Sequence, residues 1–268
     1  MSRIKHCFTE LKSQGKKALI PYVTAGDPSP SHTVDIMHAL VKSGADIIEL
    51  GVPFSDPMAD GPVIQLACER SLKAGTNVNK VLKMVAEFRT TNQDTPVVLM
   101  GYLNPIEFFG YEKFARAAKE AGVDGILLVD LTPEEATDVV KYFQQNEIDL
   151  IYLLSPTTTP ARAEKICRLA SGYVYYVSIK GVTGSATLDV DSVKTHVDSL
   201  KAITDLPIGV GFGIRDANTA KKVSQCSDGV IVGSVLVNCI AENENASNEV
   251  IANMLSDILT PMRTAMDA

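Results

Sequence analysis

Eight short apolar runs recur along the chain, beginning near Leu19, Ile47, Val97, Ile126, Leu150, Tyr173, Ile208 and Val230, and stretches with helical spacing separate nearly all of them. Ala136, Val139, Val140 and Phe143 stand at i, i+3, i+4 and i+7, and Phe114, Ala117, Ala118 and Ala121 repeat the pattern. Strands alternating with helices form a parallel sheet, because parallel neighbours need a crossover connection. Eight such strands can close on themselves. The expected fold is therefore an α/β (βα)8 barrel, with residues 1–268 as a single domain. A doubly wound open sheet is the competing architecture, but the first strand-to-helix turn, Thr24-Ala25-Gly26-Asp27-Pro28, lacks a GxGxxG fingerprint.

The repeat is embellished. Met1 to Lys17 reads as an N-terminal amphipathic helix. Ser29 or Ser31 is placed to cap a helix whose apolar face is Val34, Met37, Leu40 and Val41. After the second strand come two helices, about Pro62 to Lys73 and Asn79 to Arg89, where the repeat requires one. Ile251, Met254, Leu255 and Ile258 mark the last outer helix.

Chemistry concentrates after the second strand, in Ile47-Ile48-Glu49-Leu50-Gly51-Val52-Pro53-Phe54-Ser55-Asp56-Pro57-Met58-Ala59-Asp60-Gly61. A carboxylate among Ile and Leu is costly to bury as an anion, so Glu49 either reaches the strand's open end or has a shifted proton affinity. Both suit an acid/base residue. Barrels of this kind work at the carboxyl ends of their strands, which lets Asp60 face the same cavity; its other role would be to cap the helix that opens with Gly61-Pro62.

Strand seven ends in Gly211-Phe212-Gly213 and strand eight in Gly233-Ser234. Loops at these two places form a recurrent phosphate site, which makes Gly213, Gly233 and Ser234 the expected backbone donors. The Gly-, Ser- and Thr-rich loop from Ser178 to Leu188 suits a cover that excludes water, and its Lys180 is an amine expected to project from the loop. Tyr22, Met100, Tyr102, Leu127, Val129, Tyr175 and Phe212 lie near strand ends, where they can line an apolar pocket.

Composition narrows the partners. A net charge of −7 without a basic, aromatic-interleaved cluster argues against nucleic acid. No apolar tract reaches the length of a membrane span, and five dispersed cysteines (Cys7, Cys68, Cys167, Cys226 and Cys239) fit reduced thiols in a cytoplasmic protein. His6, His32, His38 and His196 follow no metal-ligand spacing, so no metal site is expected.

The run Ile48 to Gly61 resembles the signature of the tryptophan synthase α subunit family. Pro21-Tyr22-Val23-Thr24-Ala25-Gly26-Asp27-Pro28, Gly101-Tyr102-Leu103-Asn104-Pro105, Gly181-Val182-Thr183-Gly184 and Gly211-Phe212-Gly213-Ile214 extend the likeness along the chain in order. The resemblance implies a TIM-barrel lyase of tryptophan biosynthesis that splits indole-3-glycerol phosphate by a retro-aldol reaction, without cofactor, metal or Schiff base. It puts Glu49 and Asp60 at the catalytic positions and Gly184, Gly213, Gly233 and Ser234 at the phosphate, with Phe212 and Thr183 beside them and Tyr175 in the site. It also implies a pyridoxal-phosphate β subunit as partner in an α2β2 complex, with Pro53, Asp56 and Asn104 at the interface. Three features depart from the family: Tyr22 stands where Phe is common, Ser185-Ala186-Thr187 lacks the usual basic residue, and the proline of Thr132-Pro133-Glu134-Glu135 is displaced.

Overall fold

Helix α1 (Arg3–Ser13) leads into β1 (Ala18–Thr24), α2 (Thr33–Lys42), β2 (Ile48–Gly51), α3 (Pro62–Lys73), α4 (Val78–Arg89) and β3 (Val97–Gly101). Then follow α5 (Leu103–Phe109), α6 (Tyr111–Ala121), β4 (Gly125–Leu128), α7 (Thr137–Gln145), β5 (Asp149–Leu154), α8 (Pro160–Leu169) and β6 (Val174–Val177). The chain ends with α9 (Val190–Lys201), β7 (Ile208–Gly211), α10 (Ala217–Ser224), β8 (Gly229–Val232), α11 (Ser234–Glu242) and α12 (Asn248–Asp267). This computed structural model describes residues 2–178, 190–211 and 213–268. The expectations placed on Lys180, Thr183, Gly184 and Phe212 fall outside them.

Each strand pairs in parallel with its neighbours in sequence, and β8 returns to β1, closing the barrel. Both faces of each strand are covered, which is why the strand segments read as continuous apolar runs. Inside, Ile20, Ile47, Val98, Leu127, Ile151, Tyr173 and Ile231 form one apolar cluster, and Ile4, Phe8 and Leu11 of α1 join it. The remaining core lies between strands and outer helices, and α4 and α6 present Val81, Val85, Phe88, Phe114 and Ala118 to it.

The amino-terminal rim repeats one device at alternate strands. Asp46, Asp124 and Asp228, just ahead of β2, β4 and β8, accept from the N–H of Leu19, Val97 and Ile208 at 2.7, 2.9 and 3.1 Å, and Ser171 ahead of β6 accepts from Leu150 at 2.8 Å. Asp124 also receives Arg3 at 2.8 Å and the buried Arg89 at 2.6 Å, fastening α1 and α4 to the rim. Asp124→Asn should strand the Arg89 charge at a cost of about 3 kcal/mol. A melting midpoint roughly 6 to 12 °C below the parent's is expected by calorimetry.

One detail differs from the sequence reading. Neither Ser29 nor Ser31 caps α2: its first turn has no side-chain cap, and Ser29 Oγ instead lies 2.9 Å from Ser31 Oγ and 2.8 Å from His32 Nδ1. The last outer helix is α12, as the spacing of Ile251, Met254, Leu255 and Ile258 implies: Ile251, Leu255, Leu259 and Met262 are buried, and Met254 and Ile258, packed against the same core, also line the cavity described below. No described helix is long and apolar enough to cross a membrane.

Candidate active site

Register carries Glu49 into the barrel: it stands opposite Tyr22 of β1 and Val98 of β3, and its side chain is 0% exposed. Tyr173 donates its hydroxyl to Glu49 Oε1 at 2.5 Å. Glu49 Oε2 has no hydrogen-bond partner among the described residues. Burial pushes the Glu49 carboxyl up to about 7, a rise that the Tyr173 bond opposes. Thus the sequence-derived expectation of a shifted proton affinity holds.

Asp60 does not cap α3. Gly61 is the N-cap residue, without a side-chain bond, and the Asp60 carboxylate instead accepts from Tyr102 OH at 3.0 Å. The same phenol oxygen accepts from Ala59 N–H at 3.0 Å, so Tyr102, at the end of β3, pins the loop. Burial lifts the Asp60 carboxyl to about 6, against the lowering effect of Tyr102.

Both acids belong to one place. Burial is the main reason the Tyr22 and Tyr175 phenols lie well above their ordinary value, and Glu49 and Asp60 add to the rise in each. A cavity of about 770 Å³ has Tyr22, Asp60, Met100 and Tyr175 in its wall; Glu49 is not itself among the described wall residues but stands opposite Tyr22 in the ladder. Tyr22 crosses over Gly51, where a Cβ would lie 2.2 Å from the phenol oxygen, so that position takes glycine. Gly213, Gly233 and Ser234 line the same cavity. Gly213 has φ +80°, which favours glycine, and Gly233 and Ser234 begin α11, whose positive end points at the cavity.

Other assignments shift. Leu127 is wholly buried in the barrel interior and Val129 packs against that cluster; neither is among the described wall residues. Tyr102 serves the cavity through Asp60. Pro53 is buried, whereas Asp56 and Asn104 are exposed. Sequence reasoning missed Tyr173, although it lies just ahead of β6, two positions before Tyr175, and enters the same interior cluster. It also missed Val63 and Ile64, in the first turn after Asp60, and Arg215 beyond Gly213.

A sequence profile of the family described as tryptophan synthase alpha chain matches residues 8–266. The chain belongs to this family. The tryptophan synthase alpha chain of Marinobacter nauticus is 62% identical over 268 residues, covering 100% of this chain and 99% of that one. That of Thioalkalivibrio sulfidiphilus is 59% identical, with 100% of both chains covered. Among solved structures, tryptophan synthase subunit alpha from Legionella pneumophila superposes with a TM-score of 0.91 at 48% identity, covering 100% of this chain and 99% of the other. A chain of Mycobacterium tuberculosis tryptophan synthase gives 0.90 at 34% identity, with 100% and 99% covered. As a tryptophan synthase alpha chain, the protein is a lyase of tryptophan biosynthesis that cleaves indole-3-glycerol phosphate to indole and glyceraldehyde 3-phosphate.

Proposed function

We propose that Glu49 and Asp60 divide the work of this cleavage between them. The observation that carries the proposal is Glu49 itself: buried, held by Tyr173 on one oxygen, unpartnered on the other among the described residues, and titrating near neutrality at about 7. Breaking the bond from indole C3 to the glycerol carbon would expel an unstabilised carbanion unless C3 is first protonated. Protonated Glu49 gives its proton to C3, and Asp60, ionised, accepts a hydrogen bond from the ring N–H and offsets the positive charge that forms. Glu49, now anionic, takes the glycerol hydroxyl proton as the aldehyde forms, the C–C bond breaks and its electron pair restores the aromatic ring. Glu49 ends the cycle protonated, so the step balances without metal, cofactor or Schiff base.

Gly213, Gly233 and Ser234 would hold the phosphate at the positive end of α11, with Thr183, Gly184 and Phe212 assigned beside it by family resemblance alone. Tyr22, Met100 and Tyr175, joined by Val63 and Ile64, form the apolar wall for the indole. A β subunit is the partner the family implies, in an α2β2 complex that receives the indole. Met58, two residues after Asp56, and Phe108, four after Asn104, are 76 and 95% exposed, and exposed apolar side chains of this kind suit such a contact. Residues 1–268 would act as one cytoplasmic domain.

The test is indole release from indole-3-glycerol phosphate, alone and with β subunit, across pH. The acid step needs Asp60 ionised and Glu49 protonated, so kcat/KM should rise through about 6 and fall beyond about 7. No indole under either condition would end the proposal. Tyr173→Phe removes a bond that lowers the Glu49 pKa, so its alkaline limb should move upward by about one pH unit, the scale of a hydrogen bond to a charged group. An unmoved limb would remove Tyr173 from the account.

A further inference from the structure

The turn after β1 and helix α3 are joined by an ion pair that the cleavage steps do not use. Asp27 is 1% exposed and receives both prongs of the Arg70 guanidinium, Nε to Oδ1 at 2.7 Å and Nη2 to Oδ2 at 2.8 Å. The next residue, Ser71, donates its hydroxyl to the Ala25 carbonyl at 2.6 Å. Gly26 lies so close that a Cβ there would overlap the side chains of Ser71 and Thr76. Helix α3 is therefore moored along one side to the end of β1.

Asp60 lies one residue before the N-cap of the same helix. Gln65 Nε2 donates to the Asp60 carbonyl at 2.7 Å, and Gln65 N–H to the Gly61 carbonyl at 3.0 Å. Upstream the loop offers less: Ser55, Asp56, Met58 and Ala59 are exposed, and Tyr102 is the side chain that meets the carboxylate. Glu49 is referred to β1 as well, through its place opposite Tyr22 in the ladder. Both acids are thus tied to β1, Glu49 by register and Asp60 through α3, beside the hold that Tyr102 has on the Asp60 carboxylate.

We infer that Asp27 and Arg70 are a positioning pair that holds Asp60 in register with Glu49 by tying the helix behind Asp60 to the strand beside Glu49. The inference rests on the assignment of Asp60 to the ring N–H. A bidentate fork fixes direction as well as distance, which a lysine ammonium in its place would not. Glu244, in the connection from α11 to α12, is the other charged group that acts on both members of the pair.

Arg70→Lys keeps the charge and loses the fork. Measured well below each variant's melting midpoint, kcat for indole release should fall about 10- to 100-fold, the scale of a misplacement near 1 Å, with KM within about 3-fold of the parent. In an Asp60→Asn background the same substitution should cost less than about 2-fold, because the group it positions has already lost its charge. Asp27→Asn serves as the second variant and should show the same coupling. In the substrate-free protein, the 13C carboxyl resonance of Asp60 should move in Arg70→Lys, a readout that needs no turnover. Equal fold losses in both backgrounds, or parental kcat with an unmoved Asp60 resonance, would overturn the inference. An inactive parent would instead count against the lyase mechanism, leaving the resonance to decide the positioning role.

Discussion

Glu49→Gln is expected to lose at least about 2 to 3 orders of magnitude in indole release, the scale of general acid/base catalysis, and to fold more stably than the parent at neutral pH. The two effects share one cause. Burial raises the folded-state pKa from 4.5 to about 7, with Tyr173 pulling the other way. The folded protein therefore binds more protons than the unfolded chain between those values, and stability falls as pH rises through that window. Above about 7 the loss is complete and amounts to about 3 kcal/mol. Glutamine fills the same space without the charge and can still accept from Tyr173. Its melting midpoint should exceed the parent's by roughly 6 to 12 °C at pH 8, and the advantage should vanish near pH 4, where Glu49 is protonated in both states. Near-parental turnover would refute the catalytic role; an equal thermal shift at both pH values would refute the charge-burial explanation.

The same contrast explains what the chain discloses on its own. Periodicity was enough for the barrel, because every strand is buried on both faces and every outer helix on one, so the two apolar periods in sequence are direct images of the packing. Glu49 was legible for a related reason: a lone acid among Ile47, Ile48 and Leu50 has no structural use there. Tyr173 was not, since a tyrosine in an apolar strand is ordinary core, and only the barrel brings it to a residue 124 positions away. Leu127 and Val129 show that nearness to a strand end does not state depth, since Leu127 lies in a filled layer of the interior. The α2 cap failed where local chemistry had competing uses: Ser29 bonds both Ser31 and His32 ahead of the helix. Asp60 shows the limit most sharply. Its sequence context fits capping, yet the tertiary partner Tyr102 claims the carboxylate.

That partner makes Asp60→Asn the most discriminating substitution after Glu49→Gln. Asparagine keeps the size and an oxygen able to accept from Tyr102 and from an indole N–H, but it cannot offset the positive charge that develops when C3 is protonated. The loss should appear in the transition state far more than in binding: kcat falls about 100- to 1,000-fold, the cost of removing one preorganised electrostatic group, while KM stays within a few-fold. The pH profile separates this from simple damage. Asp60 ionises near 6 in the parent, so the acid limb of kcat/KM should disappear in the variant, whereas the alkaline limb set by Glu49 near 7 should remain. A variant that keeps the acid limb assigns it to another group, and one that loses binding and turnover in equal measure makes Asp60 a substrate anchor rather than a stabiliser of charge. Loss of the acid limb alone, with the alkaline limb in place, would establish that the two carboxyls titrate as separate parts of one machine, each tuned by its own tyrosine: Glu49 by Tyr173 and Asp60 by Tyr102.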